Sequence, residues 1–169
     1  MRQLRTIISG LILILLVASA SFPRNRQNDE KDAPETLIKA ARFLEQKPLD
    51  KKAKDVRSWA VTWIIATDKV TVNVCSLIIS GVDKKYKYSS EVFGQYTIGM
   101  AAFKLANPDR VKDEDAAQLA GVESALISYE SMIKEQPKAR HAFLDDLLAK
   151  RGREELAKFV KENNCKSQK

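Results

Sequence analysis

The sequence predicts an all-α protein: a compact bundle or short solenoid-like array of about six or seven helices behind a cleaved signal peptide. Three observations carry this. From Pro34 onward, apolar residues return at steps of three and four, the period of a helix face. Prolines, glycines and capping residues separate those stripes as helix starts and stops do. Only one stretch alternates as a strand would, and an isolated strand leaves its backbone without partners. With 169 residues, 44% of them hydrophobic and 30% charged, the chain matches globular averages, which excludes a collagen-like or wholly disordered polymer.

Arg2 and Arg5 precede an apolar run from Ile7 to Val17, and Ala18-Ser19-Ala20 supplies a small-x-small site. That order is the order of a signal peptide. The run is about a dozen residues, whereas a membrane-spanning helix needs about 20. Cleavage near Ala20 is therefore expected, with an uncleaved anchor as the competing reading, and the expected location is secreted or periplasmic. Residues 21–33, from Ser21 and Pro23 through Lys31 and Asp32, are almost entirely polar and predict a flexible leader. Residues 34–165 form the expected single helical domain, and 166–169 a polar tail.

Pro34 and Glu35 open the first helix, Leu37, Ala40, Ala41 and Leu44 stripe it, and Pro48 stops it. Asp50 caps a second helix whose core face is Val56, Trp59, Ala60, Trp63 and Ile64. Lys69 to Val82 is ambiguous. Val70, Val72 and Val74 alternate as in a strand, yet Val70, Val74, Leu77 and Ile78 fit a helix after Asp68. Helix is the choice, because no second strand exists to pair with. A polar connector, Asp83 to Tyr88, leads to a helix capped by Ser89 or Ser90 and striped by Phe93, Tyr96, Met100 and Phe103. Gly94, Gly99, Ala101 and Ala102 keep its other faces slim for a close neighbour. After Asn107-Pro108-Asp109, a helix starts near Asp113 and carries Leu119, Val122, Leu126, Tyr129 and Ile133 until Pro137. Phe143, Leu144, Leu147 and Leu148 supply a shorter helix, Gly152 breaks it, and Leu156, Phe159 and Val160 supply the last.

Two cysteines in an oxidising compartment predict one disulfide, Cys75 to Cys165, folding the C-terminus back onto the middle of the chain. A redox pair would need close spacing such as Cys-x-x-Cys. One histidine and two cysteines exclude multi-histidine and Cys-only zinc sites, so no metal or cofactor is expected. Loss of Arg2 and Arg5 takes the formal net charge from +7 to +5. In an exported protein that excess predicts solubility and weak attraction to anionic membrane or cell-wall polymers, with no nucleic-acid partner.

Lys84, Lys85 and Lys87 interleave with Tyr86 and Tyr88, and with Phe93 and Tyr96 on the next helix they form the expected binding surface. Its partners would be an acidic protein patch, lipid headgroups or peptidoglycan. The plainer reading is an idle connector with snorkelling lysines. Trp59 and Trp63, one turn apart, fit a ligand groove or, more simply, a core stripe. His141 and Asp145 share a helical face, which suits a metal or an oriented base, or else an ordinary surface pair. Asp145-Asp146 and Glu154-Glu155 point about 100° apart on a helix and read as solvated faces. The chain carries no phosphate loop, nucleophile elbow or zinc-protease motif, and no catalytic residue is assigned.

Ala125-x3-Tyr129-x2-Met132-x4-Pro137 resembles the second-helix signature of a tetratricopeptide repeat, and Gly99-x3-Phe103-x2-Ala106 before Pro108 is a shorter echo. The two are 26 residues apart, against about 34 in that repeat, so the resemblance implies helical-hairpin packing without a true array. The signal peptide, the two cysteines and the Phe93-x2-Tyr96-x2-Gly99 helix also resemble small exported all-α bacterial proteins with one disulfide. Among those are immunity proteins of contact-dependent toxin systems and acid-stress chaperones. That resemblance implies stoichiometric protein binding without catalysis. The expected function is thus a non-catalytic protein-binding or scaffold module of the cell envelope. A small-molecule or lipid carrier, or an enzyme with dispersed carboxylates such as Asp145 and Glu123, is the alternative.

Overall fold

The computed structural model describes residues 32–165. The expected signal peptide, nearly all of the polar leader and the polar tail lie outside the described residues. Six α-helices follow in order: α1 (Ala33–Gln46), α2 (Ala53–Ala66), α3 (Ser89–Ala106), α4 (Glu114–Glu135), α5 (Ala142–Gly152) and α6 (Leu156–Glu162). Single 3-10 turns stand at Ser76–Ile79, Pro108–Arg110 and Pro137–Ala139, and no strand forms among the described residues. The all-α expectation holds.

The local signals explain most boundaries. Pro34 sits in the first turn of α1, where a missing N–H costs nothing, and Leu37, Ala40, Ala41 and Leu44 are its buried stripe. Asp113 caps α4, its Oδ1 accepting the Ala116 N–H at 3.0 Å. Asp50 does not cap α2. Its carboxylate closes the preceding turn on the Lys52 N–H at 2.8 Å, and the helix begins at Ala53. Nor does Ser89 or Ser90 cap α3, which starts without a side-chain cap bond. Gly152 stays helical, and the chain reverses instead at Glu154, whose φ of 60° is the left-handed conformation a helix exit requires.

α3 is the central element. On one side Leu37, Leu44, Ala60 and Ile64 of α1 and α2 pack with Ile98. On the other, Tyr96 and Met100 pack with Leu126 and Tyr129 of α4, Leu144 of α5 and Val160 of α6. A helix buried on both sides cannot be polar on a broad face, which is why Gln95 and Lys104 of α3 are both buried. The crossing of α3 and α4 depends on glycine. A Cβ on Gly121 would lie 2.7 Å from the Tyr96 carbonyl oxygen and 2.6 Å from Met100 Cγ, and one on Gly99 would meet Ser124 Cβ at 2.5 Å. Backbone cannot yield as a side chain does. Gly121→Ala is therefore expected to cost about 1–3 kcal/mol by forced separation of the two helices. Gly94→Ala, which meets only the flexible Arg57 side chain, is expected to cost under about 0.5 kcal/mol because the gain in helix propensity offsets the crowding. Urea denaturation of the two variants measures the difference.

The helix expected over Lys69 to Val82 does not form. Thr67 and Cys75 both have extended backbone, the chain between them is non-helical, and only the 3-10 turn at Ser76–Ile79 follows. An extended segment without a partner strand needs other partners for its backbone groups. Side chains supply the bonds instead. Lys104 Nζ of α3 donates to the Thr71 carbonyl at 2.9 Å, Gln118 Nε2 of α4 donates to the Asn73 carbonyl at 2.6 Å, and the Tyr96 hydroxyl lies 3.3 Å from the Cys75 carbonyl. Carbonyls at alternate residues face the helices, the two-residue period of an extended chain. Hereafter Val70 to Cys75 is called the strap.

Candidate functional site

The strap is held at its end as well as along its length. Cys75 is disulfide-bonded to Cys165, with Cα atoms 5.6 Å apart, and the sequence separation is 90. The expected pairing is therefore present. Beside it, Asn164 Nδ2 donates to Asp115 Oδ1 at 2.6 Å, docking the end of the described chain on the start of α4. Beneath the strap, Lys104 and Glu114 form an ion pair at 2.6 Å with side chains 3% and 13% exposed. The second carboxylate oxygen of Glu114 is buried without a hydrogen-bond partner. Tyr96, fully buried, donates to the Gln118 side-chain carbonyl, which orients Gln118 toward Asn73. Burial pushes the Tyr96 hydroxyl well above the usual phenol range, so it remains a donor at any physiological pH. A recess of about 550 Å³ lies here between strap and α4, lined by Asn73, Cys75, Glu114, Gln118, Asn164 and Cys165. Gln118 is engaged in fastening the strap, Asn164 in docking the chain end on α4, and one Glu114 oxygen in holding Lys104.

The expected lysine–tyrosine surface divides in two. Lys84, Lys85 and Lys87 are exposed, and Lys87 Nζ stands 5.1 Å from the Tyr88 ring centre. The rings turn inward. Tyr88 is buried, Tyr86 and Phe93 are half-buried against the core, and Tyr96 is inaccessible. Tyr86 donates to the Ala139 carbonyl, packs edge-on to Tyr88 at 5.7 Å and lies against the His141 ring at 4.7 Å. Tyr86 thus ties the connector to the turn between α4 and α5, and the lysines face solvent.

His141 and Asp145 do not pair with each other as a surface couple. Asp145 accepts from the Tyr129 hydroxyl at 2.9 Å and from Arg140 at 3.2 Å, while the His141 backbone N–H donates to the same Tyr129 oxygen at 2.8 Å. Burial chiefly, with Asp145 alongside, pushes the Tyr129 hydroxyl up to about 12. Glu123 stands apart from both: Arg151 lies 3.8 Å from it and 2.7 Å from Glu130, and burial raises the Glu123 carboxyl above its ordinary range. Asp146 pairs with Lys150 at 3.4 Å and Glu155 with Arg153 at 2.9 Å. Among the described residues, no three metal-ligating side chains gather, and no helix is long and apolar enough to cross a membrane.

The tryptophans occupy a different place from the expected core stripe. Ala60 and Ile64 are buried and Trp63 is half-buried, but Trp59 is 39% exposed and stacks on Trp63 at 6.5 Å with 18° between planes. Trp59 and Val56 of α2 face Ala40 and Phe43 of α1 across an open groove of about 500 Å³, with Thr36, Lys39, Lys52 and Asp55 completing its lining. Phe43 was missed from sequence, and a signal for it existed. It follows Ala40 by three residues, at the edge of the stripe of Leu37, Ala41 and Leu44, and packs half-buried against the core that stripe makes.

No protein-family model matches the chain, and comparison with curated proteins and with solved structures returns no match.

Proposed function

We propose that the protein is an exported, non-catalytic binding module of the cell envelope whose α1–α2 groove takes an amphipathic helix of a protein partner. The observation that supports this reading is the groove itself: Ala40, Phe43, Val56 and Trp59 give it an apolar floor while Lys39 and Lys52 lie beside it. α1 and α2 are each 14 residues, about 21 Å long, which accommodates roughly four turns of a third helix. Such a helix would place apolar anchors at i, i+3 or i+4 and i+7 on the floor and acidic residues beside the lysines. Open grooves rimmed by polar residues mark interaction sites when large rings are left in water. An acyl chain also fits an apolar floor, and this is the carrier alternative.

The test places a benzophenone side chain at Trp59 or, as the control, at exposed Lys112 of the full-length protein in cells. Irradiation is expected to give a discrete, protease-sensitive adduct at position 59 and none at 112, with about tenfold less when Lys52→Glu is added, the effect of placing like charge against an acidic partner. A protease-resistant, solvent-extractable adduct supports the carrier instead. Equal labelling at both positions contradicts either reading.

A further inference from the structure

We infer that the protein carries a second binding surface, a basic face that rests on an anionic lipid bilayer, made where the fold sets Lys138 beside the connector lysines Lys84, Lys85 and Lys87. It is separate from the α1–α2 groove and does not depend on the groove's partner. The two segments are more than fifty residues apart in sequence. Tyr86 joins them, its hydroxyl donating to the Ala139 carbonyl and its ring lying 4.7 Å from that of His141. Lys85 and Lys87 flank Tyr86 while Lys138 and Arg140 flank Ala139, so one tyrosine side chain spans the gap between the two sets of cations. All of these, with Lys84, are exposed. Arg140 is held by Asp145 at 3.2 Å, whereas Lys84, Lys85, Lys87 and Lys138 make no ion pair with any described residue. Residues 83–88 and 137–141 together hold five cations against one acid, Asp83, and that excess is more than half of the chain's formal +7.

Charge without an apolar anchor selects the partner. The large hydrophobic side chains exposed among the described residues are Trp59, Ile65, Val74, Leu77, Val111 and Ile127, and none belongs to either segment. Tyr86 and Tyr88 turn into the core. A protein interface gathers its affinity at a desolvated aromatic or aliphatic centre, which this face lacks. A bilayer with anionic headgroups needs only cations held near its plane, each Lys or Arg worth roughly fivefold in affinity. Lysine also suits a fluid layer of charge, because a compact ammonium on a flexible stem follows it, where a planar guanidinium is matched to one fixed phosphate. The connector holds the lysines ready. Asp83 accepts the Lys85 N–H at 2.7 Å, its carbonyl accepts the Tyr86 N–H at 2.9 Å, and Tyr88 is buried. The ordering cost of binding therefore falls on the lysine side chains and not on the loop.

Flotation of the oxidised protein, as recovered from cells, with vesicles reads the result. One set of vesicles is phosphatidylglycerol and phosphatidylcholine in equal parts, the other phosphatidylcholine alone. Binding is expected to the anionic vesicles only, and is expected to be lost at about 0.5 M salt. Lys85→Gln and Lys138→Gln are each expected to weaken it about fivefold, and K85Q/K138Q about 25-fold. K52Q/K54Q removes the same charge from exposed positions at the start of α2 and is expected to stay within about twofold of the wild type. Far-UV circular dichroism and thermal melting are expected to match the wild type in every variant, because neither the Lys85 nor the Lys138 ammonium is buried. Crosslinking from position 59 is expected to be unchanged in K85Q/K138Q, which keeps the two surfaces distinguishable. Equal binding to both vesicles, a K138Q variant that binds as the wild type does, or equal weakening by K52Q/K54Q overturns the proposal. So does capture by soluble polyphosphate without binding to anionic vesicles.

Discussion

Replacing both cysteines by serine is expected to lower the stability of the protein by about 4–5 kcal/mol, the chain-entropy worth of a 90-residue loop. That is a large part of the net stability of a domain this size. The loss should be uneven. Cys165 follows α6 and Cys75 ends the strap, so hydrogen exchange is expected to rise first at α6 and along Val70 to Cys75, while α3 and α4 retain protection. Urea denaturation of C75S/C165S, and of the wild type with and without reductant, measures it. A loss under about 1 kcal/mol would mean that the denatured chain is already compact between residues 75 and 165.

Lys104→Met is the second large effect, with an expected cost of about 3–5 kcal/mol. The ammonium is 3% exposed, paired with Glu114 and bonded to Thr71, so its removal strands a carboxylate of which one oxygen already lacks a partner. Neutralising both sites should recover most of the loss. K104M/E114L is expected to be more stable than K104M by about 2 kcal/mol or more, because the pair's burial cost disappears with it. If the double variant is less stable than the single, Glu114 stabilises the fold without Lys104, and the account of a stranded buried carboxylate fails.

Helix content was legible in the sequence wherever one periodicity had no rival. The stripes of α1 and α4 and the punctuation at Pro48, Asn107-Pro108 and Pro137 fall where the structure puts them. The disulfide followed from counting, since two cysteines allow one pairing. The strap was not legible by the same method. Its valines satisfy both periods, and the deciding consideration, a missing partner strand, weighed backbone partners alone. Lys104 was nonetheless visible as a candidate: Tyr96, Met100 and Lys104 lie at successive four-residue steps, which sets a lysine on a core-facing row of α3, where it requires an acceptor. The lysine–tyrosine cluster misled for a related reason. Tyr86 and Tyr88 sit in a run of polar residues, but what Tyr86 contacts comes from Ala139 and His141, more than fifty residues away. Spacing along the chain carries no information about that. The groove was half legible, in the tryptophans, and its other wall became apparent only once α1 was folded against α2.

The central structural claim is that Val70 to Cys75 is an extended strap bound edgewise by side chains of α3 and α4. Backbone chemical shifts of the oxidised, isotopically labelled protein at low concentration test it most directly. The account predicts strand-like Cα and Cβ shifts from Val70 to Val74, with no medium-range helical contacts there. Helical shifts running continuously from Lys69 to Val82 would contradict it.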